Sequence, residues 1–240
     1  MMIANDEYLD SSDAYKIIYK IAQVWGKEHQ VLTWLKDLAL SGHNRYSQFY
    51  SVGAMACHWE NHPEILPWLI NHGLNSDDCW VQVASLREIV GRYHEQRNVF
   101  PILKEIAQSN NNPSLQQEAI KLLASGWKEY DDTLDLLKTC AESEAVHFGV
   151  RSEAITELAN GWTHETWVFN FLCERLILDP FVREHTSNRN PRLRAIEALL
   201  EHYPTHTKTL EILNDRALND PDDQLRQWAQ DQLQKLEVNP

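Results

Sequence analysis

Six aromatic residues recur along this chain at nearly constant spacing: Trp25, Trp59, Tyr93, Trp127, Trp162 and Tyr203, at intervals of 34, 34, 34, 35 and 41 residues. A period of that size marks an architecture in which one supersecondary unit is repeated and stacked, because a single unit cannot bury its own apolar face. Other positions keep the same register. Seven residues after each aromatic stand Leu32, Leu66, Phe100, Leu134, Phe169 and Leu210. Ten after stand Leu35, Leu69, Leu103, Leu137, Leu172 and Leu213, and fourteen after stand the mostly small Ala39, Gly73, Ala107, Ala141, Leu176 and Ala217. Offsets of three and four place these residues on one face of a helix. Eight before each aromatic come Ile17, Ser51, Ser85, Ala119, Ala154 and Ala195, small enough in most repeats to let a second helix approach closely.

Each repeat therefore reads as two antiparallel helices. One connection is short and polar, as in Gly26-Lys27-Glu28 and Glu60-Asn61-His62-Pro63. The other carries turn and capping residues, as in Ser76-Asp77-Asp78, Asn110-Asn111-Asn112-Pro113, Asp179-Pro180 and Asn219-Asp220-Pro221-Asp222. The expected fold is all-α, an α-α superhelix of about six hairpins and thirteen helices running from near Ser12 to near Leu236, with a capping helix over 222–236. No break in composition marks a linker, so residues 1–240 are expected to form a single domain.

The balance of charge narrows the partners. A formal net charge of −13 repels nucleic-acid phosphate and anionic membrane surfaces and favours basic partners. No run reaches the ~18 apolar residues of a membrane span. The acidic stretch Met1 to Asp10 lacks the apolar core of a secretion signal. Cys57, Cys79, Cys140 and Cys173 form no CxxC pair and fit no zinc spacing. Reduced thiols within helices point to the cytoplasm, and disulfide pairing is the less favoured alternative.

Val150-Arg151-x-x-Ala154, opening a helix after an acidic loop, resembles the HEAT repeat. The element recurs as Leu115-Gln116-x-x-Ala119, Pro191-Arg192-x-x-Ala195 and Leu225-Arg226-x-x-Ala229. The resemblance implies a ladder in which an Asp of the turn and this Arg bond between repeats. Here the Arg position reads Gln48, Gln82, Gln116, Arg151, Arg192 and Arg226, so the N-terminal half departs to Gln. Leu123-Ala124-Ser125-Gly126-Trp127, Thr133-Leu134-x-Leu136-Leu137 and Leu158-Ala159-Asn160-Gly161-Trp162 are similar to HEAT arrays attached to bacterial, especially cyanobacterial, NACHT-type STAND ATPases. Such arrays imply a sensor of a ligand or partner. The chain has no GxxxxGK[ST] phosphate loop of its own.

Signs of chemistry are sparse. His29, His62, His94, His164 and His206 fall in the loops after the aromatics, near Glu28, Glu60, Glu64, Glu95 and Glu165. Stacking would align them as a metal or proton-relay rim, or simply as a wet loop edge. Their scattered offsets, and a helix spacing of ~10 Å against ligand bonds of ~2 Å, favour the wet edge. The pairs His94-Glu95 and His164-Glu165 resemble those of the HEAT-like di-iron deoxyhypusine hydroxylases only in residue type. They lie in loops and number two, so no cofactor is expected. GxSxG, HExxH and GxGxxG are all missing. Trp80, Trp167 and Trp228 stand outside the marker positions, and each is either a helix-end packing residue or a contact for a partner.

The 41-residue interval carries roughly six extra residues between Leu176 and Pro191, and insertions in solenoids often map to binding faces. Residues 183–194 hold Arg183, Arg189, Arg192 and Arg194 against Glu184 alone, a local +3. Arg183, His185, Arg189, Arg192 and Arg194 are thus the candidate contacts for a carboxylate-rich or phosphate-bearing partner protein. The alternative makes Arg192 the ladder Arg and the rest a solvated loop. Second-helix positions Arg87, Glu88, Lys121, Thr156, Glu157 and Glu197 are the candidate concave surface, mixed in sign. The expected function is a non-catalytic protein-interaction scaffold or sensor. Next comes a HEAT-like bilin lyase or assembly chaperone acting on a partner protein. Behind it stands a HEAT-like DNA glycosylase, which the net charge opposes.

Overall fold

A computed structural model describes residues 10–26, 28–41, 44–109 and 112–238. The stretch before Asp10, Lys27 and Asn110-Asn111, all used in reading the sequence, lie outside the described residues. The described residues contain no strand. The helices are α1 (Ser11–Trp25), α2 (His29–Ser41), α3 (Arg45–His58), α4 (Ile65–Trp68) running on as a π-helical turn (Leu69–Gly73), α5 (Cys79–Tyr93), α6 (Val99–Gln108), α7 (Pro113–Gly126), α8 (Asp131–Glu142), α9 (Phe148–Gly161), α10 (Thr166–Leu178), α11 (Pro191–His202), α12 (Thr207–Asn219) and α13 (Asp223–Val238). None of them is long and apolar enough to cross a membrane.

Two compact units divide the chain, residues 1–105 and 106–240. In the first, α1, α3 and α5 lie side by side, with α2 against α3 and the π-helical turn against α5. In the second, α7, α9 and α11 lie side by side, with α8 on α9, α10 on α11 and α12 on α13. In these pairs an even-numbered helix packs on the odd-numbered helix that follows it, α13 on α12 included.

Capping chemistry sets where the helices begin. Asp10, Asn44, Asp78, Asn112 and Asn190 each accept hydrogen bonds from the first-turn amides of α1, α3, α5, α7 and α11. Pro113 and Pro191 occupy first-turn positions, where a missing N–H costs nothing. The repeated aromatic sets where the odd helices end. Trp59, Trp127, Trp162 and Tyr203 each leave helical geometry at φ −123°, −133°, −126° and −131°, while still donating to the carbonyl four residues back. Two of the tyrosines also bond one hairpin to the last: Tyr93 Oη donates to Glu60 O at 2.7 Å, and Tyr203 Oη to Thr163 O at 3.0 Å.

The six leucines ten residues past the markers are the centre of the core, every one 0 % exposed; burying a leucine so completely contributes about 2 kcal/mol. The positions seven past the markers behave differently. Leu32 and Phe169 are buried, Leu66, Phe100 and Leu134 are half-buried, and Leu210 is exposed. The smallest contact is between Gly73 and Ser85. A Cβ on Gly73 would meet Ser85 Oγ at 2.1 Å and Ser85 Cβ at 2.7 Å. Pro67 interrupts the amide series of α4, and Leu74 N then bonds to Leu69 O at 2.9 Å, the wider π spacing.

Candidate functional site

The lengthened loop after α10 is the first place to examine. Arg192, at the start of α11, is 3 % exposed and spends its guanidinium inside the protein. It makes a bidentate pair with Asp220 at 3.1 and 3.0 Å and donates to Asp179 O at 2.9 Å and Phe181 O at 3.0 Å. Arg151 does the same one hairpin earlier, with Asp179 at 2.7 and 3.0 Å and Val146 O at 2.6 Å. Both pairs span 28 residues. Each Arg clips the turn behind it to the turn of the next hairpin. Arg226 repeats the backward bond, to Asp220 O. At two of the Gln positions the backward bond is kept: Gln82 Nε2 donates to Ser76 O at 2.7 Å, and Gln116 Nε2 to Ala107 O at 3.2 Å.

The other basic residues of the loop are also paired. Arg183 holds Asp222 at 2.8 and 2.7 Å and the loop carbonyls of Asn188 and Thr186 at 2.7 and 3.3 Å. Asn190 Nδ2 donates to the same Asp222. Burial alone would raise the Asp222 carboxyl; the Arg183 guanidinium and the Asn190 amide outweigh it and hold the group below the ordinary carboxylate range. Arg189 reaches Glu153 at 3.5 Å and Arg194 pairs with Glu197. The local +3 of residues 183–194 is therefore met by Glu153, Glu197, Asp220 and Asp222. Arg192 and Arg183, named among the candidate partner contacts, are bonded within the framework. Arg189 stays exposed and Arg194 half-exposed; His185, also exposed, lines an open depression of about 460 Å³ between residues 181–186 and 221–224.

The surface of the odd helices in the second unit is an ionic lattice. Glu153 of α9 bridges Lys121 of α7 at 3.3 Å and Arg189 at 3.5 Å. Glu157 lies next to it, its pKa raised by burial and by the Glu153 charge against a smaller pull from Lys121. Thr156 bonds back to Ser152 O at 2.9 Å.

The first unit presents something else on its odd helices. Rings run in unbroken contact across α5, α3 and α1: Trp80 to Phe49 at 6.2 Å between centroids, Phe49 to Tyr50 at 5.4 Å, Tyr50 to Tyr15 at 5.4 Å and Tyr15 to Tyr19 at 4.5 Å. The run continues from Tyr19 to His58 at 6.3 Å. Trp80 and Tyr15 are each 47 % exposed, and Tyr46 of α3 is exposed too. Gly53 makes room for the run, since a Cβ there would meet Tyr19 Oη at 2.5 Å. Burial, followed by the Glu88 charge, pushes the Tyr19 phenol up to about 12. An open groove of about 500 Å³ lies along α1, lined by Tyr15, Lys16, Tyr19, Lys20, Gln23 and His58. Of the off-marker tryptophans, Trp80 belongs to this surface. Trp167 is covered by Lys138, whose Nζ sits 3.9 Å from the ring centroid, and Trp228 is half-buried.

Among the described residues, no group of three or more His, Cys, Asp or Glu is placed to hold a metal ion. His94–Glu95 and His164–Glu165 are isolated exposed pairs at 4.0 and 3.5 Å. Histidine serves instead at helix starts: His147 and His206 cap α9 and α12, with Nδ1 accepting from Gly149 N at 3.1 Å and Lys208 N at 3.3 Å. Cys140 is core, its thiol pushed up to about 11 by burial. Comparison with protein-family models, with curated proteins and with solved structures returned no match.

Reading the sequence by its marker aromatics passed over Tyr15, Tyr19, Phe49 and Tyr50. The signal was present in a second register. Tyr15 and Phe49 are 34 residues apart, and so are Tyr46 and Trp80. Aromatics repeated at the period but away from the buried positions belong to an exposed face.

Proposed function

We propose that this chain is a non-catalytic protein-binding module of HEAT-type repeats, and that the α1–α3–α5 face of the first unit is where it holds its partner. The observation that carries this is the continuous run of half-exposed aromatic rings. Tyr and Trp are the residues that dominate binding hot spots, because they bury much area for little loss of side-chain freedom. The residue pattern around Arg151, Arg192 and Arg226, with the 28-residue Arg–Asp clips, supports the HEAT-type assignment. It also fits a sensor array that serves an ATPase. Four free thiols, two of them exposed, fit a cytoplasmic setting.

The test is a paired affinity purification from the native cell, using the wild-type chain and a variant carrying Tyr15→Ala and Trp80→Ala, read by quantitative mass spectrometry. The wild type is expected to retain a partner at fixed stoichiometry that the variant loses, with both chains equally helical by circular dichroism. An identical set of proteins on both baits would remove this face from consideration.

A further inference from the structure

Resting on that reading of the α1–α3–α5 face, we propose that its occupant is an extended, acidic segment of a partner protein in which carboxylate and apolar side chains alternate. Two independent observations lead there.

The first is charge. On these helices Arg92 is met by Glu88 at 2.7 Å and Glu60 at 3.5 Å, while Lys16 and Lys20 of α1 line the groove, on a chain of net −13. Unlike the arginines of the long loop, the two lysines of α1 keep their ammonium groups near solvent. Lys16 has an exposed Asp13 at 3.8 Å, and Lys20 the amide oxygen of Gln23 at 3.2 Å. An acidic segment is drawn to this face and repelled by most of the remaining surface, which fixes where it lands.

The second is the layout of the groove along α1. Tyr15 and Tyr19 are four residues apart and so are Lys16 and Lys20, and all four line the same groove. Residues at this offset on a helix stand about 6 Å apart along the axis. In an extended chain, alternate side chains share a side and stand about 6.6 Å apart. An extended segment laid along α1 therefore meets both rows in step. Side chains of one parity reach the phenol rings, and those of the other reach the ammonium groups. The ring row continues from Tyr15 through Tyr50 and Phe49 to Trp80, so apolar residues beyond α1 find further aromatic contact. A basic segment has cation–π attraction to the same rings but meets Lys16 and Lys20 at every second residue.

A random 12-residue phage-displayed library panned against the full chain tests this, with the Tyr15→Ala, Trp80→Ala variant as the counter-screen. The expected result is enrichment of peptides with Asp or Glu at alternate positions and apolar residues between them. Synthetic, fluorescein-labelled copies of these should bind at least about tenfold more weakly when their acids become Gln, and more weakly still as Lys. They should lose the same amount on a Lys16→Glu, Lys20→Glu chain, and weaken as salt is raised. Neutral or basic peptides enriched in a Tyr15- and Trp80-dependent way would overturn the acidic occupant and leave the binding face standing. A library with nothing enriched above the counter-screen would overturn both.

Discussion

His147 caps α9 through a ring nitrogen that must stay unprotonated to accept from Gly149 N. Burial, helped by the Arg151 charge, lowers its pKa from 6.5. The cap therefore contributes in full above pH 6.5, the unfolded value, and its contribution is lost as pH falls through the folded one. His147→Asn, which caps without titrating, should flatten the change in melting temperature between pH 7 and pH 5. Glu157 has the opposite sign. Its raised pKa means that the folded chain resists ionising it, so stability is highest below the unfolded value of 4.5 and falls as pH rises through the folded value. Glu157→Gln should raise the melting temperature at pH 7 and leave it unchanged at pH 4. Neither role was legible in the sequence. A histidine near a carboxylate looks alike whether it ligates, titrates or caps, and only the backbone direction at His147 decides.

At the level of elements, the hairpins are joined by two kinds of clip. Arg192 is bonded both backward and forward, and removing it takes the bidentate partner from the buried Asp220 carboxylate, leaving Arg216 at 3.5 Å. Arg192→Ala should cost about 3 kcal/mol or more in urea unfolding. Gln82 makes the neutral backward bond to Ser76 O, and Gln82→Ala should cost about 1 kcal/mol. Gly73→Ala drives a methyl into Ser85 where π-helical turn and α5 touch, at a cost of about 1–3 kcal/mol. Much of this was readable in advance. The helical hairpins, the buried leucines and the small residues at Gly73 and Ser85 follow from register alone. The pairing of the basic loop was not legible, for a definite reason. Arg183 meets Asp222, 39 residues on, and Arg189 meets Glu153 on α9, so charge summed over a short window does not describe the field at that place.

Across the whole chain, acid reaches the lengthened loop through one carboxylate, Asp222, which Arg183 and Asn190 hold. Asp222 is held below the ordinary carboxylate range, so its bonds persist through mild acid and are lost only below that range. Hydrogen exchange followed by mass spectrometry on stepping down in pH should show residues 183–190 protected through mild acid and opening below that range. The clips also explain how the array tolerates its one irregular repeat. The additional residues enter after Asp179 and before Arg192, so the separation from Arg151 to Asp179 and that from Arg192 to Asp220 are both 28. Lengthening between those two anchors changes neither fastening. That gap is a natural port for grafting: a foreign epitope or reporter spliced between Thr186 and Ser187 would be carried outward on a frame whose register it does not touch.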